Sequence, residues 1–171
     1  MKPQEKYEGK IWVKIRRLPY LVAMCMEGAA KSGIGGSARE RQAMMESLIE
    51  GGKTYPENEI IQAIVPKADN HMSILEKAAE QHDELLNCLD YHDIQDNKGL
   101  QKHILNVLVI VLGVLNSREQ PETVADYKEW LLEIAKSVAY AAKEGDFLGL
   151  GGQRFSPAEK EFYAALEAKL K

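Results

Sequence analysis

The chain has 171 residues, 45% of them hydrophobic and 28% charged, which is the balance of an ordinary globular protein. That length suits one domain with a proper core and leaves little room for two. A formal net charge of -4 argues against a nucleic-acid binder, which needs a basic excess to neutralise phosphates.

Apolar residues recur at three- and four-residue spacing almost everywhere, which predicts an all-α fold of about seven helices. Residues 1–17 read as an N-terminal arm on a single domain spanning 1–171. Within the arm, Lys10 to Arg17 reads as extended or as a short helix. Leu18 to about Lys31 is the first long helix, with Pro19 tolerated in its first turn. Its apolar start follows Lys14, Arg16 and Arg17 and imitates a signal peptide, but Pro19 interrupts it and no clear cleavage site follows. A cytoplasmic location is expected.

Gly33, Gly35 and Gly36 end that helix, and Ser37-x-x-Glu40 is a capping box that starts the next. The second helix runs to about Glu50, with Ala43, Met44 and Leu48 inside, and Gly51-Gly52 stops it. Thr54-Tyr55-Pro56-Glu57 looks like a further start, its acids suiting the positive end of a helix dipole. Asn58 to Asp90 is helical apart from a break at Pro66. Leu100 to Leu115 is strongly apolar but shorter than the roughly 20 residues that span a bilayer, so it is expected to be a buried central helix. Pro121 opens the next helix, to about Lys143. Ser156-Pro157-Ala158-Glu159 starts the last with a capping box and a proline at its first position.

The two ends of the chain repeat one pattern. Ala29-Ala30-Lys31-Ser32-Gly33 leads through Gly35-Gly36 into Ser37-Ala38-Arg39-Glu40, and Ala141-Ala142-Lys143-Glu144-Gly145 leads through Gly151-Gly152 into Ser156-Pro157-Ala158-Glu159. Each reads as a helix end, a glycine turn and a capped restart. Two related helix-loop-helix units around the central helix are therefore expected.

These repeat residues resemble the tellurite-resistance TerB-like family, the second copy more closely than the first, over about a third of the chain. The resemblance implies an all-helical, pseudo-twofold bundle and a cytoplasmic stress-response protein linked to metal or oxyanion resistance. It implies an acidic patch proposed to bind metal ions, and it does not imply a known catalytic activity. By position, the family's acid before glycine falls on Glu144 in the second copy and on Ser32 in the first, and the acid of the cap falls on Glu159 and Glu40. The first copy thus departs from a symmetrical pair of acidic sites.

Glu144, Asp146 and Glu159 are accordingly the candidate metal ligands, because a divalent cation such as calcium or magnesium takes several oxygen donors and a glycine-rich loop adds carbonyls. The plainer alternative is that all three serve a helix end, a turn and a cap. Among the histidines, His71 and His82 lie about 16 Å apart on one straight helix and cannot share an ion. His92 and His103 flank a turn. Neither Glu-x-x-His nor His-Glu-x-x-His occurs. The Gly33-Ile34-Gly35-Gly36-Ser37 loop offers N–H groups to an anion but lacks the lysine and preceding strand of a nucleotide loop. Cys25 and Cys88 belong to no Cys-x-x-Cys pair and read as free thiols, Cys25 packed and inert, Cys88 closer to a reactive setting beside Asp90 and His92.

Lys10 to Arg17 mixes bases with Ile11, Trp12 and Ile15, a pattern that either lies on an anionic membrane or packs on the bundle. The leading expectation is a non-enzymatic cytoplasmic stress-response protein that binds a divalent cation through the acidic loop. A protein- or membrane-surface interaction module and a metal-dependent enzyme using Cys88 and His92 are the alternatives.

Overall fold

The computed structural model describes residues 2–30, 38–66, 96–141 and 156–171. Among them the chain forms seven α-helices and no strand. In order these are α1 (Pro3–Lys6), α2 (Gly9–Ala30), α3 (Ala38–Thr54), α4 (Glu59–Ile64), α5 (Asn97–Arg118), α6 (Pro121–Ala141) and α7 (Pro157–Leu170). The all-α expectation holds.

Helix α2 begins at Gly9, nine residues before the expected start, so Lys10 to Arg17 is helical and Pro19 sits mid-helix. A proline there lacks the N–H that would bond the carbonyl four residues back, and its ring crowds that carbonyl. Here the carbonyl is Ile15 O, and the buried Tyr127 hydroxyl on α6 donates to it at 2.7 Å. The broken backbone bond is replaced from a neighbouring helix, which is why the helix continues. Every residue from Leu18 to Met26 is buried, as befits a segment apolar on all sides.

Helix α3 runs through Gly51-Gly52 to Thr54 rather than stopping there. The glycines serve a helix crossing. A Cβ on Gly51 would lie 1.9 Å from Trp130 Nε1, and one on Gly52 would lie 3.0 Å from Val65 Cγ1. Helix α4 starts at Glu59, two residues after the expected acid, because Asn58 caps it: its Oδ1 accepts from Ile61 N at 3.1 Å. It ends at Ile64, before Pro66 as expected.

Helix α5 corrects the expectation of a buried central helix. It extends from Asn97, capped by Asp96 Oδ1 on Gly99 N at 2.7 Å, to Arg118. Lys98–Arg118 is long and apolar enough to cross a membrane by length and composition. Leu100, Ile104, Val107, Leu108, Val111, Leu112 and Leu115 enter the core, while on the opposite side Val109 is 50% and Ile110 46% exposed. The central helices are instead α2 and α6. The inner face of α6 is Val124, Tyr127, Trp130, Leu131, Ile134, Ala135, Val138 and Ala139, and it packs on α2, α3 and α7. Both expected repeat loops, 31–37 and 142–155, lie outside the described residues, as does the Ser37 cap. The Ser156 capping box is present with Pro157 at the first helical position.

Candidate functional site

Of the three expected metal ligands, Glu144 and Asp146 lie outside the described residues. Glu159 is buried, because it occupies the first inward position of α7, in line with Phe162, Leu166 and Leu170. Its Oε2 accepts from Ser156 N at 2.5 Å, while its own N–H donates to Ser156 Oγ at 3.2 Å. Oε1 is buried and has no hydrogen-bond partner among the described residues. No group of three His, Cys, Asp or Glu side chains is placed to hold a metal ion among the described residues.

His71, His82, His92, Cys88 and the Gly33–Ser37 loop also fall outside those residues. His103 is exposed on α5. Cys25 is buried and free, and desolvation pushes its thiol up to about 12, which makes it inert. In the Lys10–Arg17 segment Ile15 is fully buried, and Ile11 and Trp12 pack against the core. Trp12 also stacks on Tyr7 with ring centroids 6.4 Å apart.

Among the described residues, a cleft lies where α3 crosses α6. With no side chain at Gly51, the two helices approach closely enough for the Trp130 indole to reach Ser47 O at 3.5 Å. The side chains flanking that crossing surround a cavity of about 360 Å³, lined by Glu46, Ser47, Glu50, Gly51, Thr54, Glu133 and Ser137. Three carboxylates and three hydroxyls thus face one space, and among the described residues none that lines it is basic. Glu46 accepts from Gln42 at 2.9 Å, and Glu50 pairs with Lys53 at 2.8 Å in an exposed position.

Glu133 has the most perturbed setting of the three. Burial raises its pKa above the usual carboxylate value, the negative charge of Glu129 adds to the rise, and a hydrogen bond from Tyr55 and the nearby Lys136 oppose it. Tyr55, in turn, is held protonated far above its ordinary range by desolvation and by Glu133, Glu129 and Asp126. A cation entering the cleft would relieve the repulsion among these carboxylates.

Glu46, Glu50, Glu129 and Glu133 are not among the site residues expected from the sequence. Their signal was the spacing itself. Like charges four residues apart on a helix repel, so two such pairs on separate helices ask for an explanation.

A second, smaller hollow of about 240 Å³ is lined by Pro3, Lys6, Glu57, Glu59, Ile60, Glu119 and Thr123. Here Glu119 is already neutralised. Lys6 Nζ pairs with its Oε2 at 2.7 Å, and the Tyr7 hydroxyl donates to its Oε1. Arg118 lies 5.8 Å from the Tyr7 ring centroid and donates to Lys6 O at 3.1 Å. This cluster is a clamp that fastens the N-terminal arm to the α5–α6 turn.

No family model matches the chain, and no curated protein or solved structure does so at a significant level.

Proposed function

We propose that the protein is a non-enzymatic binding protein of the cytoplasmic stress-response kind, and that it takes an ammonium or guanidinium group into the cleft between α3 and α6. The observation that carries this reading is a cavity of about 360 Å³ with Glu46, Glu50 and Glu133 on its walls and no base among the described residues that line it. A positively charged, hydrogen-bond-donating group satisfies the carboxylates electrostatically and meets Ser47, Thr54 and Ser137 as acceptors. Calorimetric titration with agmatine, which carries one group of each kind, tests it. Saturable heat at low ionic strength is expected, with affinity lowered roughly tenfold or more in Glu133→Gln. Absence of heat at millimolar agmatine removes the reading.

A second reading keeps the metal site at Glu159. It is favoured by the buried Oε1, which has no partner among the described residues, since such an oxygen ordinarily finds a donor or a cation. Calorimetry with calcium, magnesium and zinc on the wild type and on Glu159→Gln separates the two sites. Metal heat lost only in Glu159→Gln supports this second reading, and no metal heat removes it.

A further inference from the structure

We propose that Tyr55 is the positioning residue of the α3–α6 cleft: its hydroxyl holds one oxygen of the Glu133 carboxylate and leaves the other to the entering cation. The proposal rests on the reading of the cleft as a cation site.

Tyr55 is fixed before any ligand arrives. It follows the last residue of α3, and Pro56 after it disfavours a further helical turn. Its N–H donates to Gly51 O at 3.0 Å, and its carbonyl accepts from Asn58 N and from Gln62 Nε2, each at 3.2 Å. Gln62 Nε2 also donates to Gly52 O at 2.5 Å, which ties the turn to the end of α3. Asn58 is buried and donates from Nδ2 to Thr123 O at 3.0 Å and to Asp126 Oδ2 at 3.2 Å, which ties the turn to α6. The Tyr55 ring is buried as well.

Glu133 is the partner that needs holding. It stands on the open side of α6, where a glutamate keeps most of its rotamer freedom. A donor already in place cuts what a ligand must order when it binds. The Tyr55 hydroxyl hydrogen-bonds Glu133 and stays a donor, because burial and then the charges of Glu133, Glu129 and Asp126 oppose its ionisation. An ionised carboxylate accepts at both oxygens, so one bond to Tyr55 still leaves a face for the cation.

The same hydroxyl keeps Glu133 charged. Burial and Glu129, one turn earlier on α6, favour its neutral form, whereas the Tyr55 hydrogen bond and Lys136 favour the carboxylate. Glu46 and Glu50 face it from α3, the latter paired with Lys53 at 2.8 Å. Helices α2 and α7 meet α6 along its buried side, and Asn58, the cap of α4, reaches it at Asp126. Without the hydroxyl, Glu133 gains its charge at a higher pH, and affinity for a cation in mild acid falls accordingly.

Calorimetric titration with agmatine from about pH 5 to about pH 8 tests this on the wild type, Tyr55→Phe, Glu133→Gln and the double variant. Phenylalanine keeps the buried ring, so circular dichroism should not change. Tyr55→Phe is expected to bind roughly threefold to tenfold more weakly. Its loss of affinity on acidification should begin about half a unit to one unit higher than in the wild type. In the Glu133→Gln background the same substitution should change neither, since the hydroxyl acts through that carboxylate. An unmoved pH profile in Tyr55→Phe overturns the proposal, and so does an equal loss in both backgrounds, which would make Tyr55 a packing residue. In either case binding by the wild type leaves the cleft reading standing. No heat from the wild type removes that reading and the role of Tyr55 with it.

Discussion

The Tyr127 hydroxyl on α6 donates at 2.7 Å to the carbonyl of Ile15 on α2, the acceptor that Pro19 leaves without its helical N–H. The hydrogen bond therefore repairs the helix and joins the two central helices. Tyr127→Phe is expected to destabilise the fold by about 1–3 kcal/mol, since it strands a buried carbonyl. In a Pro19→Ala background the residue-19 N–H can reclaim Ile15 O, so the penalty of Tyr127→Phe should shrink. Urea denaturation of the four chains in the cycle checks this, and equal penalties in both backgrounds would contradict it.

Gly51 allows the α3–α6 crossing. Gly51→Ala places a methyl where the Trp130 ring already lies, and overpacking of this kind typically costs about 1–3 kcal/mol. Thermal unfolding should show the loss, together with a change in Trp130 fluorescence. Gly9, where a Cβ meets nothing within 4 Å, serves as the control: Gly9→Ala should cause no comparable loss.

Much of the helix pattern was legible in the sequence, and the misses share one physical cause. Ser156, Pro157 and Glu159 announce the start of α7 because capping is local chemistry, and the Pro121 start of α6 is equally plain. Pro19, Gly51 and Gly52 were read as start and stop signals. Their meaning depends on Tyr127, Trp130 and Val65, which lie far away in sequence. Likewise the apolarity of Leu100–Leu115 does not reveal that Val109 and Ile110 face outward. The acidic cleft was hidden for the same reason, since it exists only where α3 and α6 meet.

Cys25 supplies a pH-dependent contribution to stability. Burial pushes its thiol from 9.0 up to about 12, so the folded state disfavours the thiolate while the unfolded chain forms it freely. The contribution is complete below pH 9 and is lost as pH rises from there towards about 12. In a Cys88→Ser chain at pH 8, Cys25 should react with Ellman's reagent no faster than the protein opens, and fully in denaturant. Native reactivity equal to that of an unfolded peptide would contradict the burial.

Glu119 holds the arm through both Lys6 and Tyr7. Glu119→Ala should release residues before α2 to limited proteolysis and lower stability by about 1–2 kcal/mol, because two partly buried partners lose their acceptor. Unchanged cleavage at the arm would show that the clamp is not what fastens it.

The carboxylates at the α3–α6 crossing are the proposed cation site, and the Trp130 indole N–H, 3.5 Å from Ser47 O, reports on it directly. In an NMR titration with agmatine, that resonance should shift saturably in the wild type and need roughly tenfold more agmatine, or more, to shift in Glu133→Gln. An indole signal that does not move in the wild type, or moves equally in both proteins, would contradict a cation-binding cleft.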